Sequence, residues 1–198
     1  MIGDEILAAQ TLEGDLSAFE ELVNRHKNSV FAIVYKMIGQ YQEAEDVCQE
    51  VFITVYEKLY QFDRNKKFGP WLHRIAVNAS ISALRKKKKV ISLNFDEAYT
   101  RPYEPYPQLY MTDPQSMFEK KELKAEINAA IMELPENYRA VIILRYQMDY
   151  KNQEVASILG VSKENVEVRV HRARNALRKI VLKKWEERGL KNELPANR

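Results

Sequence analysis

The chain of 198 residues has few of the residue types on which several classes of protein depend. It contains a single cysteine, Cys48, which excludes an intramolecular disulfide and a zinc site built from several cysteines. Only six glycines are present, and none lies in a phosphate-binding loop motif. No apolar run reaches the roughly 18 residues that span a bilayer, and the N-terminus lacks the basic segment of a secretion signal. These absences favour a cytoplasmic protein with no metal and no cofactor.

Charged residues, in contrast, make up 30% of the chain, and they are segregated. Residues 1–60 contain 11 acidic and 4 basic residues, residues 61–90 contain 1 and 9, and residues 161–198 contain 5 and 11. Two basic zones that follow an acidic zone are typical of a protein that holds a polyanion at two places and offers its acidic part to another partner. Chance segregation over solvated surfaces is the alternative on charge alone.

Apolar residues recur at helical spacing along most of the chain, and no useful strand-like alternation occurs, so the predicted fold class is all-α. Ser17 with Glu20 predicts the capping box of a first helix that stops at Gly39. Further helices are predicted over about residues 42–60, from about Pro70 into the lysine run at 85–89, from Ser116 to Pro135, and over about 135–147. No heptad seam or spare apolar stripe is evident, which favours a monomer.

A segment rich in proline and tyrosine, residues 93–114, separates these helices into two groups. Pro102, Pro105, Pro107 and Pro114 cannot continue a helix, and each disfavours helical backbone in the residue before it. The sequence therefore predicts two small helical domains, residues 1–90 and 116–198, joined by an extended linker over residues 91–115.

Residues 152–171, "NQEVASILGVSKENVEVRVH", fit a helix-turn-helix. Ala156 is small where two helices would approach closely, Gly160 can adopt the positive φ of the turn, and Ser162 suits the N-cap of the second helix. A helical hairpin that only looks like this motif is the alternative. With Val166 and Val170 turned inward, the residues predicted to face base edges are Glu167, Val168, His171 and Arg172. The residues predicted to contact phosphates are Lys163, Arg169, Arg174 and Arg178. Arg172 suits a bidentate contact to guanine.

Two longer stretches resemble a known family. "AEDVCQEVFITVYEKL", followed by "FDRNKKFGPWLHRIAVNASISALRKKKK", resembles region 2 of bacterial sigma factors, and "LPENYRAVIILRYQMDYKNQEVASILGVSKENVEVRVHRARNALRK" resembles region 4. Both match the sigma-70 family, and the short two-domain chain resembles its extracytoplasmic-function (ECF) group. The resemblance implies a subunit, not an enzyme, that binds core RNA polymerase and directs promoter-specific initiation by recognising the −10 and −35 elements.

The resemblance also implies site residues. The family's acidic helix binds the clamp helices of the polymerase β′ subunit, and the matching positions are Asp46, Gln49 and Glu50. Their spacing places them on one helix face, opposite Val47 and Val51. The family reads the −10 element as single-stranded DNA in the following segment. The residues predicted to contact it are Arg64, Lys66, Lys67, Arg74, Asn78, Ser82, Arg85 and Lys86.

An unstacked base also needs an apolar surface, which Phe62 and Phe68 could supply, whereas Trp71 lies on the apolar stripe and is assigned to the core. The linker would thread through the polymerase between the two domains. Further implied partners are the polymerase β subunit and a membrane-anchored anti-sigma factor, which would hold the chain at the inner face of the membrane.

Two positions depart from the family pattern. Gly69-Pro70 stands where a polar residue usually precedes the Trp-Leu pair, and Glu167 stands where a basic residue is common. A competing interpretation is a two-domain regulator that binds DNA without polymerase. An enzyme is disfavoured because the sequence shows no paired catalytic carboxylates in an apolar setting and no Cys–His arrangement.

Overall fold

A computed structural model describes residues 2–93 and 116–187. These residues form helices and turns with no strand, which confirms the all-α fold class. The predicted linker, beyond residues 91–93, and the last residues, 188–198, lie outside the described part. The helices are α1 Asp4–Leu12, α2 Leu16–Ile38, α3 Tyr41–Lys58, α4 Phe68–Leu93, α5 Ser116–Glu133, α6 Glu136–Ile142, α7 Asn152–Leu159 and α8 Lys163–Glu187.

The start of α2 differs from the sequence prediction, whereas its end agrees. Asp15 is the N-cap, and its Oδ1 accepts hydrogen bonds from the backbone N–H groups of Ser17 (2.9 Å) and Ala18 (3.3 Å). The predicted Ser17 capping box is therefore wrong, because a carboxylate two residues earlier satisfies these donors and complements the helix dipole. Gly39 ends the helix with φ 83°, as predicted.

The first four helices pack around an apolar centre. α2 lies against α1, α3 and α4, and a 3₁₀ turn at Leu59–Gln61 follows α3. The α1 helix was not predicted, and it buries Leu7 and Ala8 against this group. The inward positions recur at helical spacing. They include Val30, Ile33 and Val34 of α2, Val47, Val51 and Val55 of α3, and Leu72, Ala76 and Val77 of α4.

The second group contains the helix-turn-helix, formed by α7 and α8. Gly160 has φ 64° in the turn, and Ser162 Oγ accepts from the backbone N–H of Asn165 at 3.2 Å. Ala156 is buried at the helix crossing. The helix predicted over residues 135–147 is α6 followed by one π-helical turn, Ile143–Gln147. α5 packs along α8.

The two groups of helices pack against each other. α4 lies along α6 and α7, and α2 contacts α6 and the π-helical turn. Polar contacts also cross this boundary, and two of them involve buried side chains. His73 Nδ1 lies 2.5 Å from Tyr150 Oη, and the buried Arg139 donates to the Met37 carbonyl oxygen at 2.5 Å. Burial lowers the pKa of Arg139. The domain boundaries given above stay a prediction.

Candidate polymerase- and nucleic-acid-binding surfaces

The acidic face of α3 is exposed. Asp46, Gln49 and Glu50 all face solvent, while Val47 and Val51 on the opposite side are buried. The face continues one turn further to Ile53, whose side chain is 58% exposed. Sequence reasoning missed Ile53, although its spacing of three and four residues from Glu50 and Gln49 was a usable signal. The face therefore combines two carboxylates and an amide with one exposed apolar side chain.

The loop between α3 and α4 is held by Asp63. Its Oδ1 accepts from the backbone N–H of Asn65 at 3.0 Å, and its Oδ2 lies 3.4 Å from Lys66 Nζ. The hydrogen bond from Asn65 is the largest cause that lowers the pKa of Asp63. Arg64, Lys66 and Lys67 are all exposed on this loop. The loop therefore presents three cations on an ordered turn.

The two aromatic residues at the ends of this loop are not available to stack on a base. Phe62 and Phe68 are 7% and 1% exposed. Their rings contact each other edge to face, with centroids 5.4 Å apart, and both contact Trp71. Their predicted role as the apolar surface beside an unstacked base is therefore wrong, because both rings are buried in the core. Trp71 is partly buried and packs against that core, as predicted.

One face of α4 carries the remaining residues predicted to contact the −10 element. Arg74, Asn78, Ser82 and Arg85 follow at intervals of four, four and three residues, and all are exposed. Lys86 is exposed beside them. Such spacing gives a continuous polar stripe along the helix, and it can present amide and hydroxyl groups between cationic ends.

Residues of the second helical group contact both ends of this stripe. Gly160 lies so close to Arg74 that a Cβ built on it would be 2.9 Å from Arg74 Nη2. Glu136 lies 3.3 Å from Arg85 Nε and 3.0 Å from Lys88 Nζ. Its own backbone N–H, followed by Lys88, lowers the pKa of Glu136 to about 2. Sequence reasoning missed these contacts, since no local pattern joins residues about fifty or more positions apart.

The exposed face of α8 begins at the turn of the helix-turn-helix. Glu167 is exposed with its carboxylate 3.7 Å from Lys163 Nζ, so its negative charge is partly offset. Val168 is 48% exposed and suits contact with a thymine methyl group. Asn175, which sequence reasoning missed, lies 3.0 Å from His171 Nε2 and orients that ring. Arg172, Arg174, Arg178 and Lys179 are exposed, and Arg169 is half-buried.

Residues 2–93 and 116–187 give little support for a metal site, a reactive thiol or a membrane-spanning helix. No group of three or more histidine, cysteine or acidic residues there could hold a metal ion. Burial raises the pKa of the Cys48 thiol to about 12, which disfavours the reactive thiolate. Within the same ranges, every helix is too short or too polar to cross a membrane.

Comparison with known proteins gives matches over both helical groups. The family model "Sigma-70 region 2" matches residues 22–90, and "Sigma-70, region 4" matches residues 124–177. The ECF RNA polymerase sigma factor SigW of Bacillus subtilis is 38% identical over 172 residues, covering 86% of this chain and 92% of the relative. The ECF RNA polymerase sigma-E factor of Escherichia coli is 30% identical over 176 residues, covering 88% and 92%.

Two solved structures have a similar fold. The structure of CnrH in complex with the cytosolic domain of CnrY is 26% identical, with a TM-score of 0.64, and the match covers 90% of this chain and 96% of that one. The sigma factor RpoE from Bartonella quintana, solved with the anti-sigma factor NepR, is 21% identical with a TM-score of 0.65, over 82% and 96%.

Proposed function

The chain belongs to the ECF group of the sigma-70 family of RNA polymerase sigma factors, and from this premise we propose which surfaces carry each part of its activity. As a sigma factor, it directs promoter-specific transcription initiation. The chain acts by binding polymerase and promoter DNA and does not itself catalyse a reaction. It works in the cytoplasm, where bacterial polymerase meets DNA.

The exposed face of α3 binds the clamp helices of the polymerase β′ subunit. Asp46, Gln49 and Glu50 supply the polar contacts, and Ile53 adds apolar area next to them. This proposal is supported by the exposure of all four side chains on one helix face that buries Val47 on its other side. A polar rim beside an apolar centre is also the usual composition of a protein interface.

The loop after α3 and the stripe on α4 bind the −10 element. Asn78 and Ser82, one turn apart, read the edges of neighbouring unstacked bases. Arg64, Lys66, Lys67, Arg74, Arg85 and Lys86 neutralise the phosphates around them. Because Phe62 and Phe68 are buried, the base-holding contact in this loop is made by polar groups and backbone, not by these two rings.

The α8 helix binds the −35 element. Its first three turns face base edges through Glu167, Val168, His171 and Arg172, and Lys163, Arg169, Arg174 and Arg178 contact phosphates on both sides. The observation that carries the whole proposal is shared by α3, α4 and α8. In each helix the predicted contact residues face away from the buried apolar stripe, and all but the half-buried Arg169 are exposed.

The test measures two quantities with purified bacterial core polymerase. These are the transcripts initiated on promoter fragments and the binding of this protein to the core enzyme. The triple variant Asp46→Ala, Gln49→Ala, Glu50→Ala is expected to lose core binding and transcripts together. The matched control Glu13→Ala, Glu20→Ala removes exposed acidic residues elsewhere and is expected to retain both. Full core binding by the triple variant would contradict the α3 assignment.

A second comparison separates the DNA contacts from the polymerase contacts. The variant Asn78→Ala, Ser82→Ala is expected to bind core enzyme normally and to fail at opening the −10 element, measured by permanganate reactivity of unpaired thymines. Normal opening by that variant would contradict the α4 assignment.

We also propose that an anti-sigma factor regulates the chain. The similar fold of CnrH, solved with the cytosolic domain of CnrY, supports the idea that such a fold accommodates a bound protein domain. The resemblance to the ECF group suggests a membrane-anchored partner. Co-purification of the tagged chain from its source, in membrane and in soluble fractions, tests both points.

A further inference from the structure

A groove with a volume of about 1090 Å³ lies between the two helical groups. One wall comes from α2 and α3, and the other comes from α5 and the π-helical turn. Aromatic and apolar side chains dominate the lining, and Leu123 and Ile127 of α5 are 46% and 37% exposed. This volume is at or above the upper end for small-molecule pockets, which are about 300–1,000 Å³, so a peptide segment suits it better. The aromatic lining residues are Phe31, Tyr35, Tyr41, Phe52 and Tyr146.

The groove is cationic. Lys27 and Lys36 of α2 and Lys124 of α5 line it, against the single carboxylate of Glu45. Lys36 is half-buried, and its pKa is lowered first by burial and then by the charge of Lys124. Two ammonium groups that repel each other beside aromatic rings favour an anionic occupant, because a carboxylate between them would stabilise both charges.

The segment that joins the two helical groups has the complementary composition. Residues 94–115 contain four acidic residues and only one basic residue, Arg101. They also contain five aromatic residues, Phe95, Tyr99, Tyr103, Tyr106 and Tyr110. Proline at four positions disfavours a continuous helix over this segment.

The covalent link between this segment and α5 raises the effective concentration of the segment at the groove. The segment leads directly into α5, and α5 supplies Leu123, Lys124 and Ile127 to the groove. A tethered segment of this length reaches an effective concentration on the order of millimolar. Contacts that would be too weak between separate molecules therefore suffice within one chain.

We propose that the groove binds residues 94–115 of the same chain, with their carboxylates at Lys36 and Lys124 and their aromatic rings against the apolar wall. The groove also includes Gln49 and Glu45 of α3. Core polymerase, which we place on Gln49, therefore competes with the connecting segment for α3. This competition rests on the proposed function, whereas the binding of the segment does not.

Photocrosslinking in the full-length chain tests the binding. The photoreactive residue p-benzoylphenylalanine replaces Tyr103, Tyr106 or Tyr110 in three separate proteins, and the products are mapped by mass spectrometry. The expected result is intramolecular crosslinking to residues of α2, α3 or α5 that line the groove. Crosslinks confined to other surfaces, or formed only between molecules, would overturn the proposal.

A charge reversal provides the second readout. The variant Lys36→Glu, Lys124→Glu is expected to lower the yield of groove crosslinks roughly fivefold, as the loss of two ion pairs, one half-buried and one exposed, implies. The matched control Lys58→Glu, Lys183→Glu makes the same change of charge outside the groove and is expected to leave the yield unchanged. Circular dichroism checks that both variants keep their helices. Equal yields from both variants would overturn the role of the two lysines.

Addition of core polymerase then tests the proposed competition for α3 separately from the binding of residues 94–115 in the groove. The otherwise unaltered protein is expected to lose its groove crosslinks. The Asp46→Ala, Glu50→Ala variant, which leaves the groove residue Gln49 in place, is expected to keep them. Crosslinks that persist on bound polymerase would overturn the competition. Failure of the protein to bind polymerase at all would count against the function proposed for α3 and would leave the crosslinks of the free chain as they were.

Discussion

At the scale of the residue, Gly160 meets two requirements at once. Its φ of 64° lies in the left-handed region, where a side chain costs about 1–2 kcal/mol, and a Cβ on it would displace the guanidinium end of the flexible Arg74 side chain. The turn of the helix-turn-helix therefore depends on the missing side chain, and the position of the Arg74 guanidinium responds to it.

The substitution Gly160→Ala is expected to lower the free energy of unfolding by about 1–2 kcal/mol, measured by urea denaturation at equilibrium. Gly69→Ala is the control, because a Cβ there would contact nothing within 4 Å, and we expect no loss. A double-mutant cycle with Arg74→Ala isolates the contact between the two groups. A Gly160→Ala protein as stable as the unaltered one would contradict the strain assigned to this turn.

His73 is buried at the same boundary with both ring nitrogens occupied. Ser29 Oγ donates to the His26 carbonyl oxygen, so it accepts from His73 Nε2–H at 3.1 Å, and Tyr150 Oη then donates to His73 Nδ1. Burial, followed by the charge of His26, lowers the pKa of His73 to about 4. The neutral imidazole is therefore the form that joins α2, α4 and the loop before α7.

This arrangement predicts a loss of stability in mild acid. The unfolded chain takes up a proton on His73 as the pH falls through about 6.5, whereas the folded chain resists until about pH 4. The contribution of His73 is thus fully present above pH 6.5 and is lost between pH 6.5 and 4. The variant His73→Gln should show a flatter dependence of unfolding free energy on pH in that range, with His171→Gln as an exposed control. Parallel curves for His73→Gln and the unaltered protein would refute the assignment.

At the scale of the element, we propose that α8 combines two kinds of DNA contact on one helix. Arg172 lies near the N-terminal part proposed to face base edges, and Arg178 lies more than one turn further along, where we expect contacts to phosphates only. Glu167 adds a carboxylate to this proposed DNA-binding face, and the neighbouring ammonium of Lys163 offsets part of its charge.

The two arginines should therefore respond differently to removal. Arg172→Ala is expected to weaken holoenzyme binding to the −35 element by about 1–3 kcal/mol and to relax the preference at one base pair. Arg178→Ala is expected to weaken binding to all sequences alike and to lower the slope of log affinity against log salt by about 1. Titrations of labelled promoter variants at several salt concentrations measure both. Identical profiles for the two variants would contradict the division of roles along α8.

At the scale of the whole molecule, the packing of the two helical groups occupies cations that the promoter would use. Glu136 pairs with Arg85 and Lys88 of α4, and Gly160 lies against the guanidinium of Arg74. If α4 binds DNA as proposed, the carboxylate of Glu136 competes with phosphate for Arg85 and Lys88.

Reversing the charge at Glu136 should shift that balance. Glu136→Arg is expected to increase the radius of gyration of the free protein in small-angle X-ray scattering and to raise its affinity for single-stranded −10 DNA several-fold, since each of the two exposed ion pairs contributes about 0.2–1 kcal/mol. Glu133→Arg is the control, because Glu133 pairs with Lys184 inside the second helical group. An unchanged radius and affinity would show that the ion pairs of Glu136 do not hold the two groups together.

Local physical signals determined much of this protein from sequence. Helical spacing predicted which faces of α3, α4 and α8 are exposed, and Gly39, Gly160 and Ser162 predicted where helices end and begin, because each signal acts within a few residues. The resemblance to sigma factor regions 2 and 4 rested on the same local stretches. Local signals gave a wrong prediction where two nearby residues could fill the same role. Asp15, not Ser17, is the N-cap of α2.

Tertiary structure decided what depends on distant neighbours. From the sequence alone, Phe62 and Phe68 fit a site for an unstacked base as well as they fit the core, and only the structure shows that both are buried. Similarly, α1 is stabilised by its packing against α2, which no local pattern predicted. The contacts of Arg74 with Gly160 and of Glu136 with Arg85, and the groove between the two helical groups, join residues about fifty or more positions apart. Such contacts follow from how amphipathic helices bury their apolar stripes together, and a stripe specifies only that it is buried, not what it is buried against.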